Sequence, residues 1–114
     1  MKKLFAALIV GLISLNASAG GNIKKGEELA KNTCAACHAT GGDWNKPVDP
    51  SYPKLAGQHA NYLEAAMVAY KRGEGRNGRA NAIMMGQVQN LSKKDIADIA
   101  AYLHSLEGTL VLKR

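Results

Sequence analysis

Beyond residue 19 the chain holds one tryptophan, no phenylalanine and many alanines, so it lacks the bulky apolar side chains from which a domain this size builds a core. Burial of apolar surface is the main force that folds a chain, and short chains bury the smallest share of theirs. Domains in this position carry a staple: a disulfide, a metal or a bulky cofactor. The two cysteines, Cys34 and Cys37, stand three apart. A disulfide between them closes almost no chain and constrains the unfolded state little. A large apolar group that fills the interior itself answers the shortage better.

The 114 residues suffice for one domain and not for two. The first nineteen read as an export leader. Lys2 and Lys3 give a positive start, Leu4 to Leu15 is apolar apart from Gly11 and Ser14, and Ala17-Ser18-Ala19 has the small-x-small form that signal peptidase cuts. The apolar run is too short for a comfortable membrane span. Cleavage after Ala19 predicts a periplasmic domain over residues 20–114 with no stable membrane insertion. Loss of Lys2 and Lys3 leaves thirteen Lys and Arg against nine Asp and Glu, so the net charge falls from +6 to +4. That mild excess suits steering towards an acidic partner. Nucleic-acid binding wants a denser basic stripe with interleaved aromatics and is set aside.

The pattern predicts an all-α fold of three main helices and long loops. The first runs from about Asn22 to Ala36, with Ile23, Gly26, Ala30 and Thr33 or Cys34 at helical spacing. Thr40 to Gly57 is rich in Pro, Gly, Asp, Asn and Ser, a long loop of the kind that usually serves function. The second helix covers about His59 to Lys71, with Tyr62, Leu63, Ala66, Met67 and Tyr70 as one apolar stripe and Gly73 as its stop. A polar loop from Gly73 to Asn81 leads to a short apolar island, Ile83, Met84 and Met85, expected to be non-helical. The last helix begins at Ser92, which forms an approximate capping box with Asp95. Ile96, Ile99, Ala100, Tyr102, Leu103 and Leu106 follow at helical spacing, and Gly108 is its expected end.

Cys34-Ala35-Ala36-Cys37-His38 is the C-x-x-C-H signature of haem attachment. At a helix end, residues i and i+3 share one face, so both thiols can reach vinyl groups on one porphyrin edge. His38 is then placed to turn an imidazole nitrogen to the iron. Rival readings of the two cysteines are weaker. A dithiol redox pair wants a βαβ pattern nearby, and none is visible. A zinc site wants two more ligands, and only His59 and His104 remain. The reading is one covalent haem c. An electron carrier then needs a second axial ligand, for which Met67, Met84, Met85, His59 and His104 are the candidates. Met67 lies on a core stripe, and the histidines look capping or solvated. Local chemistry leaves Met84 and Met85 open; either thioether favours Fe(II).

Four pieces in order now resemble the class I cytochromes c: Gly26 eight residues before Cys34, the C-x-x-C-H, Pro53-x-Leu55-x-Gly57, and a Met before the last helix. Tyr52 to Gln58, Leu91-Ser92 and Asp98 to Tyr102 are similar to one half of the two-domain, dihaem periplasmic cytochromes of that class. The resemblance implies a small cytochrome c fold wrapped around the haem. It implies Met84 as the ligand, seven residues before Leu91. It implies that the Pro53 carbonyl accepts a hydrogen bond from His38, that Leu55 packs on the haem, and that Gly26 and Ala30 cross Ile99 and Tyr102. Ala30 departs from the pattern, since a larger, often aromatic residue is common there.

With both axial positions filled the protein is expected to be no enzyme by itself. It is read as a soluble, monomeric carrier cycling between Fe(III) and Fe(II) among donor and acceptor proteins. Lys46, Lys54, Arg76 and Arg79 are candidate charges around the exposed edge for docking to acidic partners. Three other readings are a haem subunit held by a periplasmic dehydrogenase, a haem-based ligand sensor with a displaceable Met84, and a dithiol oxidoreductase.

Overall fold

The structure, a computed structural model, describes residues 20–109; the leader read over residues 1–19 and the last five residues lie outside the described residues. Five helices occur among the described residues: α1 Ile23–Thr33, α2 Ala35–His38, α3 Ala60–Arg72, α4 Ala82–Val88 and α5 Lys93–Ser105. Extended pairing among them is confined to an isolated bridge between Thr40 and Asp43. The fold is all-α, with α1, α3 and α5 as its three main helices.

Local chemistry starts and stops these helices. Asn22 caps α1, its Oδ1 accepting from the Lys25 N–H at 2.9 Å. Ser92 and Asp95 make a full capping box on α5, each backbone N–H donating to the other's side chain at 3.0 Å. Gly73 ends α3 with φ at +56°, a conformation that favours glycine.

Three sequence expectations are corrected. The first helix does not run unbroken to Ala36. It breaks at Cys34 and restarts as α2. Cys34 N–H still reaches Ala30 O at 2.8 Å and His38 N–H reaches Cys34 O at 3.0 Å, but Cys37 N–H turns to Cys34 O at 3.2 Å, only three residues back, and periodicity does not register the bend. The island holding Met84 and Met85 is helical. Asn81 caps it through a 3.0 Å bond from the Met84 N–H, and its seven residues are too few for a hydrophobic period to show. The last helix ends at Ser105, before Gly108. Gly108 serves a close approach instead: a Cβ there would lie 2.2 Å from Ala56 O.

α1 crosses α5 at Gly26, where a Cβ would lie 1.8 Å from Asp98 O. Ala30 and Ile99 are fully buried beside it. The small Ala30 therefore belongs to a crossing in which the backbones touch. Asp98, 1 % exposed, ties the helices together by accepting the Asn22 N–H at 2.7 Å and the Lys94 Nζ at 2.8 Å. Burial opposes its charge, but these hydrogen bonds and the charges of Lys94 and Lys25 outweigh it and hold the carboxyl below its ordinary value. Leu63 and Met67 of α3 join Ile96, Ile99 and Leu103 of α5 in the core. Trp44, from the long loop, meets Tyr102 edge-on at 6.1 Å.

Candidate functional site

Between α3, α4, α5 and the segment around α2 lies a cavity of about 280 Å³. All five residues of the α3 stripe, Tyr62, Leu63, Ala66, Met67 and Tyr70, line it. Much of the face that reads as core-facing is thus turned towards a hollow. Cys34, Cys37 and His38 line the cavity from the bend between α1 and α2, Pro53 and Leu55 from the long loop, and Met84 from α4. The structure brings together all six residues singled out in the sequence, from three separate stretches of chain.

His38 is 6 % exposed, and its Nδ1 lies 3.0 Å from Pro53 O. A carbonyl oxygen only accepts, so the proton sits on Nδ1 and the Nε2 lone pair is left for another partner. The same bond orients the ring. The loop that supplies Pro53 is held by the Val48 N–H, which donates to Cys37 O at 3.0 Å.

Both cysteines are free thiols and half-buried. Burial first, and then the neighbouring Cys37, push the Cys34 thiol up to about 11. Among the described residues no three His, Cys, Asp or Glu side chains gather as metal donors. His59 and His104 are exposed, and His104 Nδ1 is paired with Gln58 O at 2.8 Å.

Geometry also separates the two methionines. Met84 is partly buried against the core and lines the cavity. Met85 does not line it; its Cε packs on Gly73, 2.4 Å from where a Cβ would stand.

Two contributors were not assigned a place at the site from sequence alone. Asn81 lines the cavity and caps α4, so it positions the backbone of Met84. An Asn directly before Ala-Ile-Met-Met is a capping signal that points to it. Arg79, read only as a surface charge, lines the cavity with its guanidinium over the Tyr62 and Tyr70 rings, at 5.7 and 5.6 Å from their centroids.

A small helical shell around an apolar cavity, with two thiols and an oriented imidazole on its wall, is the framework of a c-type cytochrome. The chain belongs to the cytochrome c family: the family model for cytochrome c matches residues 23–107. It is 46% identical over 87 residues to cytochrome c-554(548) of Halomonas halodenitrificans, covering 76% of this chain and 99% of that one. To cytochrome c4 of Pseudomonas aeruginosa it is 43% identical over 107 residues, covering 92% of this chain and 49% of that one. The crystal structure of reduced recombinant cytochrome c4 from Pseudomonas stutzeri superposes with a TM-score of 0.67 at 35% identity, over 79% of this chain and 48% of that one. The chain therefore spans nearly all of the first relative and about half of the cytochromes c4.

Membership makes the chain an electron-transfer haem protein with covalently bound haem c. The residues present fit that group. Two adjacent thiols, an imidazole with a free nitrogen and the thioethers of Met67 and Met84 share one apolar cavity, and no Asp or Glu lines it. Among the described residues no helix is long and apolar enough to cross a membrane.

Proposed function

We propose that the protein is a monomeric single-haem electron carrier of the periplasm, exported by a leader over residues 1–19 that is cleaved to free the domain 20–114. In this reading Cys34 and Cys37 would hold the haem through two thioether bonds, and His38 and Met84 would ligate its iron. The observation that carries it is the His38 Nδ1–Pro53 bond, which leaves the Nε2 lone pair available in the cavity that Met84 also lines. When bound, the haem supplies an iron that takes up and gives back one electron. Pro53 keeps the His38 ring in one tautomer and one orientation through both redox states. Leu55, Leu63, Met67 and Val88 line the cavity with apolar surface and keep water from it. With Met84 also bound to the iron, no site would be left open for substrate, and the protein would be no enzyme by itself.

Lys46, Lys54 and Arg76 are exposed and give short-lived docking to acidic surfaces of donor and acceptor proteins. Electron transfer to such a partner slows as ionic strength rises and the screening length shrinks. A flat salt dependence would remove the steering role.

The reading is tested by exporting the full chain to the periplasm and recording its reduced and oxidised spectra and its mass. The expected result is covalent haem c that resists acid–acetone extraction, with the weak near-infrared band of thioether ligation in the oxidised form. Loss of all colour on extraction, or a mass equal to bare polypeptide, refutes it.

A further inference from the structure

The cavity presents two side chains with fixed positive charge, Lys54 and Arg79, and no carboxylate. Lys54 reaches away to Thr109, with Nζ 3.4 Å from its Oγ1. Arg79 is held at the cavity. Its backbone N–H donates to Ala69 O at 2.9 Å, and its guanidinium lies over two rings of the α3 stripe, Tyr62 and Tyr70. The ion pairs among the described residues use Lys25, Lys31, Lys46 and Lys94, so the Arg79 charge is not spent on a carboxylate there. Side-chain hydrogen bonds to Tyr62 and Tyr70 hold the guanidinium in place and use part of its five donors, leaving the others for a carboxylate.

Haem carries two propionate carboxylates, whose charged form an adjacent cation favours. We propose that Arg79, oriented by Tyr62 and Tyr70, binds a haem propionate and keeps it ionised through the neutral pH range. The proposal rests on the haem reading above, and it removes Arg79 from the set of steering charges. An adjacent cation favours the charged form of a carboxylate, so its removal raises the pH at which the propionate takes a proton. A propionate that titrates near neutrality makes the iron's potential depend on pH there.

The test uses the haem-loaded full chain, with R79Q, R79K and R76Q made in it; Arg76 is exposed and does not line the cavity. The measurements are the reduction potential across pH and the propionate bending band in resonance Raman. Wild type, R79K and R76Q are expected to hold a flat potential between about pH 6 and 8, whereas R79Q acquires a slope there and a shifted band. An R79Q curve and band that overlay wild type overturn the proposal, even if R79Q is less stable, because Arg79 would then only clamp the tyrosines. An R76Q curve that matches R79Q also overturns it, by making the effect one of bulk charge. If R79Q does not load haem, Y62L is read in its place, since it keeps the charge and removes one supporting face. A shifted band in Y62L supports the proposal and an unshifted one overturns it. Wild type without covalent haem c refutes the functional reading itself, whereas wild type with haem c and an unmoved variant refutes this inference alone.

Discussion

Gly26→Ala is expected to be among the most damaging single-methyl changes in this chain. The added Cβ would lie 1.8 Å from Asp98 O and 2.4 Å from its carbonyl carbon, both backbone atoms that cannot rotate away. Reaching a comfortable C···O separation of ~3.3 Å requires α1 and α5 to part by about 1.5 Å. That motion stretches the 2.7 Å bond from the Asn22 N–H to the Asp98 carboxylate beyond hydrogen-bonding range and loosens Ala30 from Ile99. A charged hydrogen bond contributes about 1.5–3 kcal/mol and overpacking costs about 1–3 kcal/mol. Alanine's better helix propensity returns about 1 kcal/mol. The net loss is about 1.5–5 kcal/mol, which for a domain of this size lowers Tm by roughly 6–40 °C. Thermal unfolding of the haem-loaded protein, followed by far-ultraviolet circular dichroism, reads it directly. Gly86→Ala is the control. A Cβ at Gly86 in α4 meets nothing within 4 Å, so the change is expected to be neutral or to stabilise by up to about 1 kcal/mol. A Gly26→Ala protein that melts within about 4 °C of wild type would refute the reasoning, because the closeness of the crossing would then cost nothing.

Met84→Ala is expected to abolish the near-infrared thioether band, to let the reduced protein bind carbon monoxide at neutral pH, and to cost about 2 kcal/mol of packing. Met85→Leu keeps the band, since Met85 packs on Gly73 and does not line the cavity. Asp98→Asn is expected to destabilise the protein by about 1–3 kcal/mol at neutral pH, by removing the buried charge that accepts from the Asn22 N–H and the Lys94 ammonium. Because folding holds the Asp98 carboxyl below its ordinary value of 3.8, the folded state binds a proton less readily than the unfolded chain. Its stabilisation is therefore complete above about pH 4 and fades as pH falls through the lowered value, so wild type and Asp98→Asn converge in acid unfolding below about pH 4. A gap that stays constant down to pH 2 would contradict this assignment.

The main helices are legible because their signals are local. Ser92 and Asp95 announce a helix start within four residues, and Gly73 announces a stop through the one backbone angle it adopts readily. The break at Cys34 is not legible in that way, because no Gly or Pro marks it and the apolar spacing runs through it undisturbed. α4 escaped notice because seven residues hold less than two turns of pattern, although Asn81 carries its capping signal in plain view. The thiols and His38 are legible together because one turn of chain contains them. Met84 follows from family register and not from its own chemistry. Arg79 required the fold. Its place depends on the 73–81 loop lying against Ala69, Tyr62 and Tyr70, a pairing that no local spacing encodes.

The shortage of bulky residues and the cavity are one fact seen twice. Ala30, Ala39, Ala56 and Ala100 supply four of the core's buried residues, and beside that core lies a hollow of about 280 Å³. Left without its occupant, that hollow exposes the apolar faces of Leu55, Leu63, Met67 and Val88 to water, at a cost of about 25 cal/mol per Å² of apolar surface. A chain that cannot attach haem is thus expected to have no stable native state, whatever the quality of its helix caps. The Cys34→Ala, Cys37→Ala double variant tests this. It is expected to keep part of its far-ultraviolet helix signal, to lose the near-ultraviolet signal of Trp44 against Tyr102, and to melt without a cooperative transition. Sharp, native-like melting of that variant would mean that the alanine-rich core closes by itself. The cofactor would then be a passenger in the fold, not the greater part of its interior.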